Sequence, residues 1–175
     1  MNSPQNYDIN EWFIIIGLLV SILLIILLPK RFPHTISTLI LMFCMVIPII
    51  LDTMIATKPF DFYDINDTSK FELFDFLLWF FYAPFGYFFL YGFDKWNLRS
   101  FGLLIYIIVS SMLAVGFEFI TIKAHIFTFD GWHLFYSFPI YLVVQSAYIA
   151  FYLWIKTLFH QTKLSDLIYF NKTDT

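Results

Sequence analysis

The chain has 175 residues, 60% of them hydrophobic and 13% charged, with a formal net charge of −3 and a mean hydropathy of +0.76. A soluble domain carries roughly 25% charged residues, so the composition excludes an ordinary water-soluble globule and points to a membrane protein. There is no basic stripe that would suit nucleic acid, and one cysteine, Cys44, allows no internal disulfide.

The first apolar run is "WFIIIGLLVSILLIILL", Trp12 to Leu28, stopped by "PKRFPH". Its leader holds Asp8 and Glu11 and neither Lys nor Arg, the opposite of a secretory leader, so the run is expected to stay as a helix. Four more runs cover residues 35–56, 71–93, 101–122 and 133–159. Each is long enough to cross about 30 Å of hydrocarbon at about 1.5 Å per residue. The expected fold class is all-α, an integral membrane bundle of five transmembrane helices in a single domain over residues 1–175. Pro48, Pro84 and Pro139 fall inside three of the runs, where a missing amide donor predicts kinks.

Orientation follows from the connecting segments. With the N-terminus outside and the C-terminus inside, the inner segments hold Lys30, Arg31, Lys95, Arg99, Lys156, Lys163 and Lys172. The outer ones hold Lys58, Lys70 and Lys123. The positive-inside rule favours this arrangement, and the Trp residues near the run ends suit interfacial belts.

Ionisable residues within a span are costly and therefore informative. On run three, Glu72, Asp75, Trp79, Tyr82 and Gly86 share a helical face. On run four, Tyr106, Ser110, Ala114, Glu118 and Thr121 do so, and on run five His133, Ser137, Tyr141, Gln145, Tyr148 and Tyr152. Polar faces turn inward in lipid, so runs three to five are expected to build the inner bundle, with run one at its periphery. Most such Tyr, Ser and Gln residues serve as packing glue. Asp52, close to a span end, reads as an acid that reaches water unaided. Asp75 and Glu118 are each flanked by Phe on both sides, in "FDF" and "FEF", and call for a cation; Lys123, His125 and His133 are the nearest.

The segment "ITIKAHI" alternates apolar and polar residues with a period of two, which predicts an extended stretch after Glu118. With the Asp-Gly turn of "FDGW", it would fold a loop over the outer mouth and carry Lys123 and His125 back to the acids. The candidate polar site is therefore Asp75, Glu118, Lys123, His125, His133, Tyr82 and Tyr141. His125, Asp130 and His133 fit no metal-ligand spacing. No phosphate-binding loop, nucleophile elbow or Cys-x-x-Cys is present, so neither a metal nor a cofactor is expected.

The segment "APFGYFFLYGFDKW" at residues 83–96, Glu118 with the later Trp132, and "YSFPIY" at residues 136–141 carry a family resemblance. Over residues 72–158 the chain resembles a group of small uncharacterised multi-pass membrane proteins from Bacillus- and Clostridium-type bacteria. The resemblance implies a multi-pass protein of the cell membrane and no particular activity.

Three functions suit these features. The preferred one is a non-enzymatic binding or accessory protein with a polar site at the outer membrane face. Its partners would be membrane lipids, a partner transmembrane helix, a second copy of the chain or a small cation. An intramembrane enzyme acting on a lipid or isoprenoid through a buried carboxylic acid is the alternative. A proton- or cation-coupled transporter ranks last, because the inner halves of the spans hold few ionisable residues.

Overall fold

The computed structural model describes residues 8–65 and 73–173, with the side chains of 65, 73, 75 and 163–173 left aside. Its five helices are α1 (Ile9–Leu27), α2 (His34–Ile55), α3 (Leu73–Trp96), α4 (Ser100–Lys123) and α5 (Leu134–Thr173). All five are long and apolar enough to cross a membrane. Two short strands, β1 (Tyr63–Ile65) and β2 (Phe127–Phe129), pair antiparallel and complete the order.

Local chemistry sets the helix boundaries. Glu11 Oε2 accepts the Asp8 amide at 2.7 Å at the start of α1, satisfying a donor that the helix cannot. Pro33 sits at the N-cap of α2, and Asn97, at φ 48°, opens the tight turn into α4. The helices run unbroken through Pro48, Pro84 and Pro139. The fifth helix continues past the 133–159 span to Thr173.

The expected inner bundle of runs three to five is corrected by the packing. The centre is α3, the most buried of the five spans. It packs along α2, α1 and α5, while α4 packs mainly on α5. The consecutive helices α3 and α4 barely meet. The molecule is thus two helix pairs, α2–α3 and α4–α5, joined where α5 touches α2 and α3, with α1 along the outside of α3.

Two apolar clusters hold this arrangement. One, around Phe32, Ile40, Cys44, Leu90, Tyr148 and Tyr152, ties α2, α3 and α5 together. Here α2 and α3 approach closely: a Cβ on Gly86 would lie 2.5 Å from Cys44 Cβ and 3.1 Å from the Tyr148 ring. The other, around Ile14, Phe74, Leu78, Phe81 and Ile126, joins α1, α3 and the segment after α4.

The two ends of the bundle are closed differently. At one end, Asp94 near the end of α3 gathers three partners. Arg31 Nε lies 2.6 Å from Oδ2, Lys156 Nζ lies 2.8 Å from Oδ1, and the Tyr152 hydroxyl donates to Oδ1 at 2.5 Å. Arg31 Nη2 also donates to the Asp94 carbonyl at 2.7 Å. At the other end, the β1–β2 ribbon pairs Tyr63 with Phe129 and Ile65 with Phe127, clasping the segments that follow α2 and α4.

Candidate functional site

The site lies at the ribbon end. The segment "ITIKAHI" is not extended, as its period of two suggested: α4 runs on to Lys123 and closes there. The His125 amide donates to the Ile122 carbonyl at 3.1 Å, and the Ile126 amide to the Thr121 carbonyl at 3.0 Å. With His125 at φ 57°, this is a left-handed helix cap, and it drives Ile126 fully into the core. The extended stretch begins only at Phe127. From there the pleat alternation turns Phe127, Phe129 and the buried Tyr63 toward the bundle and leaves Thr128 exposed.

Two carboxylates line the same cavity under this ribbon, Asp52 from α2 and Glu118 from α4. Asp52 Oδ1 accepts the Tyr63 hydroxyl at 2.7 Å, and Oδ2 the Tyr82 hydroxyl at 2.5 Å. Glu118 Oε1 accepts the Ser137 hydroxyl at 2.7 Å, and Oε2 the Tyr141 hydroxyl at 2.8 Å. Ser137 in turn accepts the Trp132 indole N–H at 3.1 Å, which fixes the direction of its own proton toward Glu118. Every carboxylate oxygen therefore receives one O–H donor. Burial, and beyond it the charge of the adjoining Asp52, push the Tyr63 phenol far above its ordinary range, so it remains a donor at neutral pH.

Among the described residues, neither acid forms an ion pair with Lys, Arg or His; both ion pairs present there belong to Asp94. An uncompensated charge within a span costs about 2.5–3.5 kcal/mol on insertion scales, and each acid meets it with two hydroxyl donors rather than a cation. No group of three or more metal-ligating side chains occurs among the described residues.

The cavity has a volume of ≈ 630 Å³ and fills the space that α3 and α4 leave between them. It reaches from Trp132 at the ribbon end to Trp96 at the Asp94 end, and its wall is mostly apolar. The two carboxylates lie at the ribbon end, and further along the wall carries Tyr106, Ser110, Gln145 and Tyr148. Gln145 on α5 is buried, and its Oε1 accepts from Ser110 at 2.6 Å and Ser111 at 3.1 Å. Exposed Phe85 and Leu113 also border the cavity, which gives it a side facing the bilayer.

Of the residues singled out in the sequence, Glu118, Tyr82 and Tyr141 come together here. The three cations do not join them. Lys123 is exposed and rests over the Phe119 ring at 5.4 Å. His125 is exposed beside Asp8, Asn10 and Trp12 at the start of α1, and the exposed His133 packs on Tyr136 at 5.4 Å. The loop over the mouth is thus present as the ribbon, and it delivers aromatic rings where cations were expected. Asp75 belongs to α3, but its side chain lies outside the described residues.

Asp52, expected to be solvated, is the second acid of the site. Tyr63 and Ser137 were also missing from the candidate set. Ser137 stood on the polar stripe of run five and could have been chosen by its phase with Tyr141. Nothing local to Tyr63 betrays its role, which depends on β1 pairing with a strand over sixty residues away. Comparisons with protein families, with curated proteins and with solved structures return no match.

Proposed function

We propose that the protein is a non-enzymatic membrane protein that binds an amphiphile, its chain lying in the α3–α4 cavity and its polar head at the Asp52–Glu118 cluster. The observation behind this is the distribution of polarity along one cavity. An apolar trough of ≈ 630 Å³ open toward lipid ends in two hydroxyl-solvated acids. Such a shape follows the rule for ligand sites, a mostly apolar wall with a few convergent polar groups. In this reading the ribbon end faces outward and the Asp94 end faces the cytoplasm, as the excess of Lys and Arg there favours, and the membrane is the cell membrane.

Filling the trough tests the binding. Ala114 borders the cavity midway along α4, and Ala114→Phe would occupy the chain's position. Native mass spectrometry of the protein released from detergent should find an amphiphile bound to the parent chain and absent from the variant. Equal occupancy in both would refute the reading. Impermeant maleimide on intact cells should label Thr128→Cys and spare Ser100→Cys in a Cys44→Ala background; the reverse pattern would overturn the orientation.

A further inference from the structure

We propose that the head of this amphiphile is an ammonium group, held between Asp52 and Glu118 inside an aromatic cage. The inference rests on the amphiphile reading above and adds its chemical class. Three observations converge on it.

The first is charge. Both acids have their oxygens oriented as acceptors by hydroxyl donors, and neither has a cation among the described residues. A bound ammonium would supply that cation. An anionic head would meet two like charges, and a neutral head would leave both uncompensated.

The second is the wall around the acids. Tyr63 lies 6.0 Å from Trp132, 5.7 Å from Phe127 and 6.2 Å from Phe129, ring centroid to ring centroid. All four rings border the cavity at the carboxylate end. Aromatic rings beside carboxylates recognise ammonium ligands, because ring quadrupole and carboxylate both attract a cation.

The third is independent of the acids. Gln145 is 7% exposed and borders the cavity, and its amide nitrogen has no hydrogen-bond partner among the described residues. Whichever way the amide is turned, one of its ends is unmet by protein, and a buried polar group left so is costly. Gln145 sits one helical turn, about 6 Å, beyond Tyr141. A ligand with its ammonium nitrogen at the acids would meet Gln145 through a hydrogen-bonding group about one helical turn further along, where an amide or ester would follow the head of a lipid.

The test uses three probes of one chain length, hexadecylammonium, hexadecanol and hexadecyl phosphate, added to the whole protein in a maltoside detergent. The thermal midpoint is followed against the mole fraction of probe in the micelle. Hexadecylammonium should half-saturate at about one tenth the mole fraction of the alcohol or less, as a charge-assisted contact and a cation–π contact together imply. Hexadecyl phosphate should be the weakest. Asp52→Asn and Glu118→Gln should each remove the preference for ammonium while keeping the response to hexadecanol. Should these variants fail to fold, the order of the three probes on the parent chain decides alone. N-(4-aminobutyl)hexadecanamide places an amide near Gln145 and should bind several-fold tighter than hexadecylammonium. That gain should vanish in Gln145→Leu. Equal, saturable binding of ammonium and alcohol would overturn the head assignment and leave the amphiphile reading standing; no saturable binding of any probe would overturn both.

Discussion

Ser137→Ala removes one oxygen atom and no packing volume of consequence, so its effect isolates hydrogen bonding. Ser137 is buried and joins the Trp132 indole, at 3.1 Å, to Glu118 Oε1, at 2.7 Å. The bond to the carboxylate contributes about 1.5–3 kcal/mol, because its acceptor is charged. The indole N–H is only half buried and recovers water in part, so its loss adds about 0.5–1 kcal/mol. The expected destabilisation is about 2–4 kcal/mol. Ser146→Ala is the control: that hydroxyl is exposed and bonds only to the Leu142 carbonyl one turn back, so its removal should cost less than about 0.5 kcal/mol. Both would be measured by reversible SDS unfolding in mixed micelles, with tryptophan emission recorded in parallel. Ser137→Ala should also red-shift the Trp132 contribution. If the two serines cost the same, the relay from Trp132 to Glu118 does not exist as described, and the site loses the anchor that orients its acid.

Gly86→Ala should destabilise by about 1–3 kcal/mol through overpacking, since the new methyl meets Cys44 Cβ at 2.5 Å; a neutral result in the same assay would mean that α2 and α3 are further apart. His125→Gly should stabilise by about 1 kcal/mol, because glycine adopts the φ of 57° without the penalty a Cβ incurs, and a loss of stability would contradict the left-handed cap. Arg31→Ala and Asp94→Ala, combined in a double-mutant cycle, should couple by about 0.5–1 kcal/mol. The partial exposure of Arg31 keeps this small, and a coupling near zero would remove the ion pair from any structural role.

The sequence revealed all five helices, with boundaries within about three residues except at the end of α5, because a span needs little more than length and apolarity. The sites within them were read through helical phase, which was enough to bring Glu118, Tyr141 and Tyr82 to one place. It failed where partners are set by tertiary pairing. Lys123 and His125 were expected at the acids because they lie near Glu118 in sequence, but the cap at His125 carries them past it to the surface. Asp52 was set aside for lying near a helix end, a position that says nothing about the Tyr63 and Tyr82 hydroxyls arriving from other elements. Asp94, hidden in "GFDKW", passed unnoticed among the basic residues around it, although it gathers Arg31, Lys156 and Tyr152.

The persistence of a cavity between α3 and α4 has a mechanical cause. Apolar helices in lipid gain no hydrophobic stabilisation by closing on each other, so an opening between them collapses only if side-chain packing favours it. Here the two helix pairs are fastened at their ends. At one end, Asp94 on α3 holds Lys156 and Tyr152 of α5 and Arg31 of the α1–α2 connection. At the other, the β1–β2 ribbon ties the segment after α2 to the segment after α4, while Asp130 and Trp132 donate their amides to the Phe62 carbonyl. Between these fastenings α3 and α4 meet mainly through aromatic contacts, Phe85 on Phe117 at 4.7 Å and Phe89 on Tyr106 at 5.0 Å, with the cavity alongside. Phe85 and Phe117 can rotate aside without breaking a hydrogen bond, whereas Tyr106, whose hydroxyl donates to the Phe89 carbonyl at 2.7 Å, the ribbon and the Asp94 cluster cannot part without leaving polar groups unmet. The stretch around Phe85 and Phe117 is thus held by packing alone, and in the proposed reading a chain entering from the bilayer would pass between Phe85 and Leu113 while both ends stay closed.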